Sequence, residues 1–354
     1  MIVTFVLPKV SRYPVGGYKM VFEYANRLCN KGHDINIIYI NDDFMSKYKL
    51  PRFVRKKLAI HYTALEPRWF ELDTKISKIS CFNNDMSRKI IEVSDVVIAT
   101  AVQTVDLVDR LFQCKKIYFI QGYEDWGIGE DELVNTYKNN MTKIAVANWL
   151  KNIVDEYSSS TCKVIKNPID SSIYKIKVDY YDRPKFSVAV LYNELPVKGF
   201  KYAYAALLQL KKCIPELTVQ MFGRNKYPYE LPEWINYTEN ATQDQTVDIY
   251  NSSRVFVCAS VEEGYGLTGL EAMACGCTLV STRFKGVLEY ANDKSAVLVP
   301  IKDVDGLVEA IKQVFTDEKS YDSMRDNALE KVKQFSWSLA VKEFEDLLLE
   351  NQEG

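Results

Sequence analysis

Apolar residues in this chain follow two rhythms. Short runs, apolar at consecutive positions and rich in β-branched and aromatic residues, read as strands covered on both faces. They are IVTFVL (2–7), INIIYI (35–40), DVVIATA (95–101), KIYFIQ (116–121), KIAVA (143–147) and CKVIK (162–166). Stretches of helical period lie between them: Tyr18–Lys31, closing at Gly32, then 130–139 and 148–157. KNPID (166–170), where Asn-Pro breaks any regular element, and a polar stretch at 171–184 interrupt the pattern. The alternation resumes with FSVAVLY (186–192), a helix at 200–213, LTVQMFG (217–223), a helix at 243–252 and RVFVCAS (254–260). A helix from about 268, TLVS (278–281), AVLVP (296–300) and further helices complete it. Such alternation predicts an α/β fold of doubly wound parallel sheets. Two domains are expected, 1–168 and 169–335, facing across a cleft at the carboxyl ends of their strands, where open α/β sheets take ligands. Residues 336–354 are expected to form a helix packing back toward the first domain.

Composition narrows the class. At 354 residues the chain exceeds one ordinary core. Its 47% hydrophobic and 26% charged residues support globular folding and exclude wholesale disorder. A net charge of −2 gives no case for a nucleic-acid partner. No apolar run reaches the ~18 residues of a membrane span. MIVTFVLP lacks the basic start and small-residue cleavage site of a signal peptide, so a cytoplasmic location is expected. Cys29, Cys81, Cys114, Cys162, Cys213, Cys258, Cys275 and Cys277 form no CxxC pair. They read as buried thiols of a reducing compartment, not as a disulfide framework or zinc site.

Chemistry concentrates in SVEEGYGLTGLEAMACGC (260–277). The strand before it ends where the cleft is expected. Val261–Gly266 is a loop whose glycines let backbone N–H groups approach a ligand closely. Thr268 is expected as the N-cap of the next helix. A helix start, with free N–H groups and about half a positive charge, is a natural phosphate site. Glu263 in the loop and Glu271 in the helix would then accept hydrogen bonds from hydroxyls on either side of that phosphate. A diphosphate flanked by two polyols is a nucleotide-sugar. Thr268 and Glu271 also have the spacing of a capping box, which needs no ligand.

EEGYGLTGLEAMACGCTLVST resembles the E-x7-E signature of family-4 retaining glycosyltransferases of GT-B architecture (glycosyl transferases group 1), and the resemblance extends over nearly the whole chain. PVGGYKMVFEYANRLCNKGHDINII is similar to the family's amino-terminal glycine loop and first helix. IAVANWLKNIV and KVIKNPIDSSIY resemble the end of its first domain, LPVKGFKYAYAAL its lysine element, and MFGRN and TVDIYNSSRVFVCAS its later strands. The resemblance implies two Rossmann-like domains. It implies that Glu263 contacts the donor sugar, that Glu271 holds the ribose, and that the amides of Gly266, Leu267 and Thr268 hold the diphosphate. Lys198 matches the family lysine that neutralises the leaving phosphate. A cation plus a helix start would stabilise a departing nucleoside diphosphate without metal. By itself the Lys-Gly pair reads as a solvated loop, and its place just after a strand and before a helix favours the functional role. Gly16 and Gly17 read as a close approach of backbone to the diphosphate or sugar, or as a tight turn.

Two positions depart from the family pattern. Asn193 stands where many members carry an arginine and brings no charge. Gln121 stands where many carry a histidine, and its amide can still hydrogen-bond a sugar hydroxyl. Glu124 and Asp125 are candidates for orienting the acceptor. His33 and His61 are the only histidines, and His33, at a helix-to-strand turn, reads as structural. No Ser-His-Asp or Cys-His arrangement is visible, and DVD (303–305) reads as a helix cap, not a metal site. From Ser46 to Leu65 no acidic residue occurs, while Lys47, Lys49, Arg52, Arg55, Lys56 and Lys57 do, with Phe53 and Tyr62 among them. Arg52, Arg55, Lys56 and Lys57 are candidates to face an anionic membrane carrying a lipid-linked sugar acceptor, and a solvated helix or loop is the plain alternative.

The expected function is retaining, metal-independent transfer of a hexose or deoxyhexose from a nucleotide-sugar to a glycan, as in bacterial surface polysaccharide synthesis. The donor is of UDP, GDP, ADP or dTDP type, with no other cofactor. The alternatives are a degenerate binding subunit that supports an active partner, and a GT-B nucleotide-sugar epimerase.

Overall fold

The computed structural model describes residues 1–82, 92–125 and 128–350. The chain forms two compact α/β units: Met1–Lys166 with Ser338–Gly354, and Asn167–Trp337. The last four residues, 351–354, of the expected carboxy-terminal helix lie outside the described residues.

Unit 1 is built on a parallel sheet. Its strands are β1 (Ile2–Leu7), β2 (Asp34–Ile40), β3 (Ser77–Cys81), β4 (Val96–Ala99), β5 (Lys115–Ile120), β6 (Thr142–Ala145) and β7 (Lys163–Val164). Their order is β3-β2-β1-β4-β5-β6-β7. Helices α1 (Gly16–Asn30), α2 (Arg52–Leu65), α3 (Val102–Leu111), α4 (Glu130–Tyr137) and α5 (Asn148–Tyr157) connect them. The chain builds outward from β1 in one direction, then returns to add β4 on the other side, so the topological switch lies between β1 and β4.

Unit 2 repeats the plan with β8 (Ser187–Tyr192), β9 (Thr218–Gly223), β10 (Ile235–Glu239), β11 (Val255–Cys258), β12 (Thr278–Thr282) and β13 (Val297–Val299). The order β10-β9-β8-β11-β12-β13 puts its switch between β8 and β11, where Val188 sits opposite Val255. Its helices are α6 (Phe200–Cys213), α7 (Gln243–Asn251), α8 (Leu267–Ala274), α9 (Val304–Thr316) and α10 (Asp322–Val332). β8 and β11 are buried along most of their length, which explains their unbroken apolar runs.

The last helix, α11 (Trp337–Leu349), packs in unit 1. Its Phe344 is fully buried and stacks 4.5 Å from the Tyr24 ring and 6.3 Å from Phe5. Glu345, on the same helix, pairs with Lys31 and lies 3.0 Å from His33 Nε2. Those two partners, Lys31 first, hold its carboxyl below the ordinary range. His33 is therefore structural.

Several elements differ from what the pattern predicts. β3 and β10 carry no signal in it. Both are sheet-edge strands with half-exposed faces, so they lack the continuous apolar run that marks an inner strand. CKVIK supplies only the two-residue β7. α1 begins at Gly16, so Gly16 and Gly17 form the first turn of a helix and not a loop before it. Cys213 is exposed, unlike most of the other thiols. The polar stretch at 171–184 is pinned from below. Buried Arg183 donates to the carbonyls of Val178, Tyr250 (3.1 Å), Ser253 (2.9 Å) and Cys275 (2.6 Å).

Candidate functional site

At the switch point of unit 2, two loops leave the carboxyl ends of adjacent strands. After β8 the chain makes a short 3-10 turn, Pro196–Lys198, and enters α6 through Gly199. Gly199 has φ of +63°, and a Cβ there would stand 1.8 Å from the Ala259 carbonyl oxygen. The Lys-Gly pair is thus set directly against the end of β11. Val261 N–H closes the contact by donating to the Val197 carbonyl at 2.7 Å.

That contact delivers Lys198 to Glu263. Lys198 Nζ lies 2.7 Å from Glu263 Oε2, and Ser260 Oγ donates to Glu263 Oε1. The glutamate side chain is 9% exposed and the lysine 28%. One carboxylate thus has both oxygens engaged, in a place that excludes most solvent. Asn193, a candidate for the donor, is engaged locally. Its Oδ1 accepts from Leu195 N at 2.9 Å and shapes the turn before Lys198.

The loop after β11 ends at Gly266, whose φ of 84° and ψ of 51° lie in the left-handed region. Gly266, not Thr268, is the N-cap of α8, and no side chain caps this helix. The expected Thr268 cap and the Thr268–Glu271 capping box are therefore both overturned. The chain turns into the helix two residues earlier, on a glycine, because the left-handed corner admits no Cβ. No acidic residue occupies the first turn of α8. The amides of Leu267 and Thr268, at the positive end of the helix, precede the first intrahelical donors.

Glu271 is held from the opposite side. Its Oε2 accepts from the buried Tyr250 hydroxyl at 3.4 Å, and it is also hydrogen-bonded by the Tyr174 hydroxyl. Burial, with Glu271 next, pushes both phenols upward, so each stays a neutral donor. Ser260, Tyr174 and Tyr250 belong to this constellation and carry no signal in the sequence. A buried tyrosine pattern looks the same whether the ring packs a core or steadies a carboxylate.

Unit 1 gathers its own candidates at its own switch point. Gln121 follows β5, and its Nε2 lies 3.4 Å from the Thr100 carbonyl. A Cβ on Gly17 would stand 3.2–3.5 Å from the Gln121 amide. Glu124 is buried, and its Oε2 accepts from Val102 N at 2.7 Å, at the start of α3. Burial pushes its carboxyl up to about 7, against the lowering effect of that bond. Asp125, next to it, is exposed. Glu124 is thus engaged by its own unit, whereas Asp125 is open to solvent.

The basic helix α2 separates into two sets. Arg55 Nη1 donates to the Asp42 carbonyl at 3.0 Å, and Lys56 Nζ lies 5.9 Å from the centre of the Phe82 ring. Both are half-buried, which corrects the expectation that they face outward with Arg52 and Lys57. Arg52 and Lys57 are exposed, as are Phe53 and Ile60. Among the described residues no group of three or more His, Cys, Asp or Glu is placed to hold a metal. Among the same residues no helix is long and apolar enough to cross a membrane.

Comparison with known proteins adds to this geometry. A family model, Glycosyl transferases group 1, matches residues 183–331. The serotype-specific mannosyltransferase WbdA of Escherichia coli is 32% identical over 121 residues, which is 33% of this chain and 15% of that protein. This chain therefore spans only a small part of the curated relatives it matches. The structure of Anabaena HepE in complex with UDP and glucose superimposes with a TM-score of 0.74 at 15% identity, over 98% of this chain and 99% of that one. Sucrose-phosphate synthase from Thermosynechococcus elongatus gives a TM-score of 0.74 at 13% identity over 98% of both chains. The two parallel α/β sheets are those of the GT-B fold.

Proposed function

Residues 183–331 are a glycosyl transferases group 1 domain in a chain of GT-B architecture, and from this premise we propose a retaining glycosyltransferase. It moves a hexose or deoxyhexose from a nucleotide-diphosphate sugar to a glycan acceptor in polysaccharide synthesis. The observation that carries this reading is the Lys198–Glu263 pair at 2.7 Å, beside a helix start with neither side-chain cap nor acid. A cation and an uncapped helix start at one switch point suit a diphosphate.

In the proposed reaction the bond from the sugar's anomeric carbon to the β-phosphate oxygen breaks. The acceptor hydroxyl oxygen bonds to that carbon on the same face, and its proton passes to the departing phosphate. Lys198 and the Leu267 and Thr268 amides balance the charge that grows on the leaving group. Glu263 takes a hydroxyl of the sugar, and Glu271, steadied by its tyrosines, takes the ribose. Gly16, Gly17 and Gln121 are assigned to the donor and Asp125 to the acceptor. A protein base is not required, because positioning and charge stabilisation supply the rate.

The test is incubation with UDP-, GDP-, ADP- and dTDP-hexoses, with the anomeric configuration of the product read by NMR. Retention supports the reading, and inversion overturns it. Asn193, uncharged and engaged in a turn, favours one second reading, a binding subunit without turnover. Tight nucleotide-sugar binding with neither hydrolysis nor transfer would select it, and ring inversion without transfer would select the epimerase. The exposed Arg52, Phe53, Lys57 and Ile60 of α2 are assigned to an anionic membrane surface bearing the acceptor. Sedimentation with phosphatidylserine vesicles that survives charge reversal at Arg52 and Lys57 would remove that assignment.

A further inference from the structure

The start of α8 needs a support that its own side chains do not give. Gly266 sits in the left-handed region with no capping side chain. The support comes from residues 284–290, on the far side of β12. Phe284, Val287 and Tyr290 are fully buried there. The Tyr290 hydroxyl donates to the Gly266 carbonyl at 2.7 Å. That carbonyl also accepts from Gly269 N–H at 3.1 Å.

No space remains between these residues and the loop above. A Cβ on Gly269 would stand 2.3 Å from the Tyr290 hydroxyl, and one on Gly266 would stand 2.8 Å from Phe284 Cζ. A Cβ on Gly286 would stand 2.8 Å from the carbonyl oxygens of Glu263 and Tyr265. The glycines are spaced so that a phenol can reach a single backbone carbonyl. A phenylalanine would fill the same volume. The hydroxyl adds one buried polar group, costly to bury unless bonded, and its bond goes to Gly266.

We propose that Tyr290 is a positioning residue for the phosphate-binding amides, an inference that rests on the functional reading above. Its hydroxyl draws the Gly266 carbonyl into the protein interior. The peptides that follow are thereby turned with the N–H groups of Leu267 and Thr268 outward, before any ligand arrives. The diphosphate then meets preset donors and loses less affinity to ordering the loop.

The experiment compares wild type with Tyr290→Phe by calorimetry, using UDP, GDP, ADP and dTDP and the matching nucleosides. In the variant the preferred diphosphate should bind at least tenfold more weakly, while its nucleoside keeps its affinity within twofold. A merely structural role would weaken both together. Equal diphosphate affinity in the two proteins, or parallel loss of both ligands, overturns the proposal. If Tyr290→Phe does not fold, 3-fluorotyrosine placed at position 290 alone keeps the hydroxyl and reports by fluorine NMR. Its resonance should move with the diphosphate and not with the nucleoside, and a resonance indifferent to both overturns the proposal. Wild type that binds none of the four diphosphates removes the functional reading, and this inference with it.

Discussion

Helices α3 and α8 occupy the same place in two copies of one topology. Each follows the strand laid beside the first strand of its sheet, across the switch point. Their starts are nonetheless treated in opposite ways. The first amide of α3 is taken by a carboxylate of its own unit, Glu124, at 2.7 Å. The start of α8 has no side-chain cap and no acid in its first turn, and Glu263 of the preceding loop is held by Lys198 and Ser260. One helix start is closed by a side chain of its own unit, and the other has no side-chain cap. The fold makes two equivalent helix starts, and side chains make them different.

A second contrast concerns glycine. At α8 the fold itself demands it, through the left-handed Gly266 and the closeness of Phe284 and Tyr290. At α1 a Cβ on Gly16 would meet no atom within 4 Å. Neither φ nor packing requires a glycine there.

These contrasts can be broken by measurement. The largest effect is expected at the open helix start. Lys198→Ala should lower kcat about 10²–10³-fold, the usual cost of losing one group that stabilises transition-state charge. Steady-state transfer kinetics check it, and a loss below tenfold would leave the amides of α8 as the main stabiliser.

The next effect belongs to the closed start. Burial holds the Glu124 carboxyl at about 7, against an ordinary 4.5. Between those values the native state binds a proton that the unfolded chain does not. Stability therefore falls as pH rises from about 4.5 to 7, by roughly 3 kcal/mol at most, and is flat above for this group. Glu124→Gln removes this slope and keeps an oxygen for Val102 N–H. Urea unfolding of the two proteins at pH 5 and pH 8 should show them converging at the lower pH. Parallel curves would mean that Glu124 titrates normally.

The glycine contrast predicts two smaller effects. Gly266→Ala should cost about 1–3 kcal/mol, from the left-handed backbone and the crowded floor. Its melting midpoint should drop visibly. Gly16→Ala should leave stability unchanged or raise it by up to about 1 kcal/mol, since alanine is the better helix former. The same change should still slow transfer several-fold. If Gly16→Ala is silent in kinetics as well, the open space over Gly16 has no functional meaning.

Much of the molecule is legible in one dimension. The inner strands announce themselves as continuous apolar runs, and α6 at 200–213 is readable to its ends because its period is regular. Glu263 and Glu271 stand out because the spacing around a glycine loop is local. The edge strands β3 and β10 do not, since half of each faces away from the core. The N-cap of α8 is misplaced by propensity, which favours threonine. Here the left-handed corner, held from residue 290, outweighs it.

The sequence by itself determined the alternation of strands and helices, the division into two α/β units, and the short-range grouping of glycines and carboxylates. Each depends on side-chain chemistry at separations of a few residues. Only the tertiary structure decided that Lys198 meets Glu263, that Tyr174 and Tyr250 steady Glu271, and that Tyr290 supports Gly266. These partners are brought together by strand order, with β11 laid beside β8 and β12 beside β11. Strand order is fixed by the packing of the whole sheet, and no local pattern encodes it.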